Sequence, residues 1–391
     1  MPPASDPPVL AAAIRALRAQ FFVAGALFAT WGVQVPSIKA HYGLGESALA
    51  IAMLASGVGA VAALLQAGRL LARHGPRRVA PPMALACAGA VGSLLLPAHY
   101  GVLLALMLAY GMAAAIFDVA INDEATSIER QTGRPLMSGF HGMFSLGGMV
   151  GAAAWSVLAP AGVSPVQHLV GASAVLGAVA LVAAPFMLRR RPEREAGSAS
   201  LSLPRGPLVL LGLMAALGLI GEGAMYDWCV LYLRQELSAP AGIAGLGYAS
   251  FSAAMAAGRF GGDWVRARVR SATLLRASGV LGAVGMALAL AVPHPAVALA
   301  GFALVGLGFA NIVPVLFSAA AQQPGIAPAH GIAAVASMGY FGMMAGPPMI
   351  GFLAEAWSLT VGMMAVIFFA GVVAMFARRA LGAPGVAKPV R

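Results

Sequence analysis

The sequence predicts an all-α membrane protein, with twelve transmembrane helices in two six-helix bundles and both termini on the cytoplasmic side. Three observations carry that expectation: an apolar composition, recurring runs of spanning length, and a one-sided distribution of basic residues. Of 391 residues, 60% are hydrophobic and 9% are charged, and the mean hydropathy is +0.86, outside the range of soluble domains. About 20 residues of helix cross the ~30 Å hydrocarbon core of a bilayer. Apolar runs of that length lie at 17–38, 47–68, 79–97, 101–128, 137–159, 168–188, 207–233, 243–264, 273–292, 296–319, 332–353 and 358–378. No soluble domain is left over. The first run follows a short basic start but is itself of spanning length, so it reads as the first helix and not as a cleaved leader.

The net charge of +11 and pI near 10.6 would suit a nucleic-acid binder if the basic residues formed a patch, but they follow the membrane instead. With the N-terminus in the cytoplasm, 22 of the 24 Lys and Arg fall on that side: Arg15 and Arg18, Arg69 to Arg78, Arg130 and Arg134, Arg189 to Arg205, Arg259 to Arg276, and Arg378 to Arg391. Only Lys39 and Arg234 lie outside. This is the positive-inside asymmetry of an even number of spans, so no nucleic-acid partner is expected.

Other chemistries lack their residues. Cys87 and Cys229 both sit within spans, which leaves no extracellular disulfide framework and no CxxC pair. There is no phosphate-cradling glycine loop for ATP, and the seven His are scattered, with no H-E-x-x-H or clustered ligand set. Neither an enzyme nor a metal or cofactor is expected.

The longest polar interruption, "RRRPEREAGSASLSLPRG" at 189–206, divides the chain into an N-terminal bundle (1–188), a cytoplasmic linker and a C-terminal bundle (207–391). The halves repeat weakly at an offset of about 190 to 197 residues. Gly68-Arg69 matches Gly258-Arg259, Gly147 and Gly151 match Gly342 and Gly346, and Trp31 falls against Trp228. A near-constant offset points to duplicated halves in parallel orientation. The small residues of "SLGGMVGAAA" and "YFGMMAGPPMIG" suit close helix packing in lipid. Pro314, Pro347 and Pro348 are expected to bend spans 10 and 11.

These features resemble the major facilitator superfamily over essentially the whole chain. "GRLLARHGPRR" (68–78) is similar to the superfamily's loop signature between spans 2 and 3. It departs at Ala72, where an acid is usual. The second-half copy, "GRFGGDWVRARVR", keeps an acid, Asp263, and the resemblance implies that Asp263 pairs with Arg259 to hold one conformational state. Within the superfamily, the acid-x-x-x-Asn of "FDVAIN" and the P-x-x-F-S of Pro314, Phe317 and Ser318 are similar to fucose-permease-like symporters. "SGFHGMFSLGGMVG" and "EGAMYDWCVLYL" resemble a neighbouring group of poorly characterised bacterial inner-membrane transporters. The acid that the sugar symporters carry in span 1 is missing, Gly32 being the nearest equivalent.

Asp118 lies about four residues past the middle of span 4, ~6 Å toward the cytoplasm. Helical spacing places Gly111, Asp118, Asn122, Ala125 and Glu129 on one stripe, with Asp123 and Glu124 pointing elsewhere. An ionised Asp facing lipid would cost about 2.5 to 3.5 kcal/mol or more, so it should face the bundle interior. Burial disfavours the charged form of a carboxyl, which is what proton coupling needs. A structural hydrogen bond to a neighbouring helix is the competing explanation. Glu222, flanked by glycines in span 7, is the second coupling candidate.

Trp31, Tyr226 and Trp228 offer aromatic faces for a polar, ring-shaped or amphipathic solute. Gln34, Asn122, His141, Asp227 and Asn311 complete the candidate substrate contacts. His141, with Ser138 and Ser145 on the same side, is either a proton relay or a satisfied hydrogen-bond partner. Glu129, Arg130 and Arg134, at the cytoplasmic mouth, are candidate gating residues alongside Arg259 and Asp263.

The sequence therefore reads as a monomeric inner-membrane transporter with a small-molecule substrate, protons and lipid as its partners. It would work by alternating access, as a proton symporter of a small polar, sugar-like solute. The alternatives are a proton-coupled exporter of amphipathic compounds and a transporter-like receptor without flux.

Overall fold

The computed structural model describes residues 7–134, 136–188 and 204–381, and among these every regular element is helical. The helices are α1 (Pro7–Gly32), α2 (Val35–Tyr42), α3 (Glu46–His74), α4 (Pro76–Ser93), α5 (Tyr100–Thr132), α6 (Met137–Leu158), α7 (Pro165–Ala183), α8 (Pro207–Gln235), α9 (Ala241–Phe260), α10 (Gly262–Arg268), α11 (Ser271–Ala291), α12 (Pro295–Phe309), α13 (Ile312–Ala321), α14 (Pro328–Ala356) and α15 (Leu359–Leu381). Eight segments are long and apolar enough to cross a membrane: α1, α3, α5, α7 with its 3₁₀ extension to Phe186, α8, α11, α12 with α13, and α15. The other four expected spans fall on α4, α6, α9 and α14. The basic groups expected at 189–205 and beyond 381 lie largely outside the described residues, as does most of the linker.

The chain divides into two compact units. The first comprises Met1–Gly43 and Ala55–Ser198, and the second Leu44–Leu54 and Ala199–Arg391. Within each, small residues set the helix spacing. In the first unit, a Cβ on Gly147 of α6 would collide with the Phe22 carbonyl of α1, and one on Gly111 of α5 with the Ser56 carbonyl of α3. In the second, a Cβ on Gly342 of α14 would meet the Ala216 backbone of α8, and one on Gly306 of α12 the Phe251 carbonyl of α9. Each pair of glycines, and each pair of opposing residues, is separated by about 195 positions, the offset of a parallel repeat. Gly151 and Gly346 extend the α1–α6 and α8–α14 seams by one turn, against Ala26 and Ile220. Without a hydrophobic drive between helices in lipid, such backbone approach supplies the packing contact.

Two of the expected spans are broken. α1 ends at Gly32 and α2 begins at Val35, with Pro36 in its first turn; α12 ends at Phe309 and α13 begins at Ile312, with Pro314 in its first turn. A first-turn proline loses no intrahelical hydrogen bond. The interruption in span 10 is therefore at Ala310–Asn311, three residues ahead of the proline expected to cause it. Pro347 and Pro348 lie inside α14, which continues through them to Ala356.

Candidate functional site

In the first unit, α5 carries its polar pair as the spacing required. Asn122 Nδ2 donates to Asp118 Oδ1 at 3.0 Å and to the Asp118 carbonyl at 2.9 Å. Both residues are half-buried. The carboxyl is thus held from its own helix by a neutral amide, with no cation opposite it among the described residues. An aromatic series along α1 packs against the neighbouring helices. Phe21 meets His141 of α6 edge-on at 5.4 Å, Phe28 lies 6.3 Å from Phe144, and Trp31 meets Tyr110 of α5 edge-on at 6.3 Å. Trp31 is 3% exposed, and its indole N–H has no acceptor among the described residues. A buried donor left unmade costs about 1 to 3 kcal/mol.

Gln34 is placed differently from the expected substrate contact. Fully buried at the α1–α2 break, it bonds His168 of α7 through Nε2 at 3.0 Å and accepts from Ser37 at 2.7 Å. His168 in turn packs on Trp155 with ring centroids 4.9 Å apart. This network fastens α1, α2, α6 and α7 and occupies both ends of the Gln34 amide. His168 was not singled out from sequence.

Glu129 is committed to a helix end. Its Oε1 accepts from the backbone N–H groups of Leu136 and Met137, at 2.5 and 2.8 Å. A carboxylate there complements the positive end of α6 and satisfies two orphan donors. Arg130 and Arg134 are exposed. Asp123 is exposed too, but Glu124 is only 1% exposed and accepts from the Leu188 N–H at 2.9 Å, tying α5 to the end of the α7 segment. The signal was present in the sequence. Glu124 falls in line with Phe117, Ile121 and Ile128, the buried stripe of α5.

In the second unit, α8 is buried without interruption from Ile220 to Leu233. Glu222 Oε1 accepts from Arg259 Nη2 of α9 at 2.9 Å, with both side chains largely buried. Arg259 of the loop signature reaches Glu222 of α8, while Asp263 pairs with Arg266 one turn along α10. Asp263 sits beyond the Gly261 break, exposed in the first turn of the short helix α10. Asn311, at the α12–α13 break, donates to the Gly258 carbonyl at 3.4 Å, and its amide fills the space over Gly262. It therefore braces the backbone on both sides of Arg259.

Tyr226, one turn beyond Glu222, packs its ring on Tyr248 at 5.1 Å and Phe251 at 5.0 Å. Trp228 is fully buried against Gly351, and its indole N–H, like that of Trp31, has no acceptor among the described residues. Asp227 is 7% exposed and makes no hydrogen bond or ion pair among the described residues. No group of three or more His, Cys, Asp or Glu among those residues is arranged to hold a metal ion.

Helical units with glycine seams repeated in parallel, interrupted helices and intramembrane acids are the anatomy of a secondary transporter. The sequence model of the Major Facilitator Superfamily matches residues 17–329. The chain belongs to the Major Facilitator Superfamily. An uncharacterised transporter of this superfamily from Yersinia pestis is 36% identical over 372 residues, covering 92% of this chain and 94% of the relative. In fold, the facilitator is similar to the nucleoside transporter NupG, with a TM-score of 0.73 at 14% identity, covering 94% of this chain and 99% of that one. It is likewise similar to the E. coli fucose:proton symporter FucP, with a TM-score of 0.64 at 17% identity, covering 94% and 98%. The facilitator is thus a multi-pass membrane transporter, with a small-molecule substrate and a lipid environment.

Proposed function

We propose that this facilitator is a proton symporter of the bacterial inner membrane that imports a small polar, sugar-like solute by alternating access. In this reading the chain crosses the bilayer twelve times, keeps both termini in the cytoplasm and works as a monomer. The observation that supports it most directly is the setting of Asp118. Its partner, Asn122, is neutral. Protonation exchanges one hydrogen-bonding form of the carboxyl for another and strands no counter-charge, so the group can load and unload a proton at modest cost. Glu222 contrasts with it, because its carboxyl faces a buried guanidinium, that of Arg259, and not a neutral amide. We therefore assign the transported proton to Asp118, and to Glu222 the compensation of Arg259.

Within the first unit, the indole N–H of Trp31 and the aromatic faces of Phe28 and Tyr110 offer hydrogen bonding and stacking for a hydroxylated ring; within the second, the indole N–H of Trp228 and the face of Tyr226 offer the same chemistry. FucP, named as a fucose:proton symporter, and NupG, named as a nucleoside transporter, place sugar-bearing solutes first in a substrate screen. Glu129, Arg130 and Arg134 are assigned to the cytoplasmic gate, with Glu129 holding the start of α6.

The test uses proteoliposomes with an imposed proton gradient and a solute found by thermal-shift screening. Wild type should accumulate the solute, and Asp118→Asn should lose accumulation while keeping counterflow exchange. Gradient-driven accumulation at the wild-type level in Asp118→Asn would overturn the coupling assignment. Gradient-driven efflux would support the exporter, and binding without flux the receptor.

A further inference from the structure

The second unit carries a basic cleft between α11 and α15. α11 and α15 run antiparallel and approach closely. A Cβ on Gly279 would meet the backbone of Ala370 and Ala374, while Gly282, one turn further along α11, lies against Ala370. Beside this seam lies a cavity of about 360 Å³ lined by Arg276 and Val280 of α11 and by Ala374, Met375 and Arg378 of α15. Its two arginines stand at the same end of the bundle, because Arg276 is near the start of α11 and Arg378 near the end of the antiparallel α15. Each has its apolar partner four residues deeper or alongside. Val280 is 48% exposed and Met375 68% exposed, as side chains facing acyl chains would be.

The arginines distinguish this cleft from an ordinary gap between spans. Both are exposed, and neither has an ion pair or hydrogen bond among the described residues. Arg259 is engaged with Glu222, Arg266 with Asp263, Arg268 over the Trp264 ring at 4.1 Å and Arg234 on the Ala239 carbonyl, whereas Arg276 and Arg378 share the lining of one cavity. Two unengaged guanidiniums over an apolar floor, at the depth where a span meets the headgroups, match the two ends of a phospholipid with a net negative headgroup. A phosphodiester accepts from both forks, and the acyl chain follows Val280 and Met375. Basic pockets between spans on the cytoplasmic side recognise anionic headgroups by this chemistry. We propose that the Arg276–Arg378 cleft is a binding site for one anionic phospholipid molecule, held by its phosphate at the two arginines and by its chain in the α11–α15 groove.

Full-length protein in neutral detergent, titrated with phosphatidylglycerol or phosphatidylcholine of the same chain length, tests this by native mass spectrometry and thermal shift. Phosphatidylglycerol should remain bound as one molecule and raise the melting temperature more than phosphatidylcholine. At about fivefold per arginine, R276Q/R378Q should lose about 25-fold in phosphatidylglycerol affinity with its phosphatidylcholine response unchanged. The charge-matched control R69Q/R73Q should retain the preference, which separates a local site from loss of net charge. R276K/R378K, which keeps both charges, should keep part of the affinity and guards against a folding artefact. Equal responses to the two lipids, or full retention by R276Q/R378Q, would overturn the site. So would equal stabilisation by soluble glycerol 3-phosphate, which has no chain to fill the groove.

Discussion

The two units are packed alike and charged differently. Gly147 and Gly111 in the first do what Gly342 and Gly306 do in the second, admitting a neighbouring backbone to contact distance. The acids do not follow the repeat. In the first unit Asp118 is held by an amide on its own helix; in the second, Glu222 is held by a guanidinium from the next helix. Close packing must survive in both halves because each has to hold together as a body. The electrostatics are free to diverge. In the proposed reading, this difference leaves proton exchange to the first unit and the pairing of a buried charge to the second.

The largest expected effect tests the shared packing. Gly147→Leu and Gly342→Leu each force a side chain into backbone, with nothing flexible to yield, and should both abolish monodisperse protein in size-exclusion chromatography. If one variant is tolerated, the seams are not equivalent. Next is the buried pair. Glu222→Gln should destabilise by about 3 to 5 kcal/mol, and adding Arg259→Met should recover most of that loss, because the cost is the stranded cation and not the missing bond. A double variant no better than Glu222→Gln would show that Arg259 is compensated elsewhere.

Helix-end carboxylates come third. Glu129→Ala, which frees two donors of α6, should cost about 1 kcal/mol. Glu236→Ala should cost less, since Glu236 is exposed and serves only the Leu359 N–H, at 3.0 Å. Equal losses would remove that distinction. The smallest stability effect is expected at Asp118→Asn, about 0.5 kcal/mol or less, because an amide replaces a carboxyl whose partner is already neutral. A melting-temperature drop comparable to that of Glu222→Gln would reveal a structural role for Asp118 and break the contrast between the units.

Much of the architecture was legible before any coordinates. The apolar runs mark where the helices fall because crossing hydrocarbon demands length and hydrophobicity that a local window measures. The Asp118–Asn122 contact was legible for the same reason, being an i, i+4 relation within one helix. Gly147 and Gly342 were visible as a repeat, although the match of Gly111, already placed on the Asp118 stripe, with Gly306 was hidden among 49 glycines. Glu124 shows how a signal is passed over: its place on the apolar stripe was available, but the residue was only set apart from the Asp118 stripe and given no role.

What the sequence determined by itself was the membrane class, the course of the helices and the contacts made within single helices, all consequences of composition and a 3.6-residue period. Tertiary structure decided which charge meets which. Arg259 stands beside Asp263 in sequence but reaches Glu222, because the chain turns at Gly261 and carries Asp263 onto another helix. Gln34 looked available to a solute until α7 brought His168 against it. Partners across helices depend on the rotation and depth at which two helices pack, and those are set by the backbone approach at the glycine seams, not by the identity of the polar residues themselves.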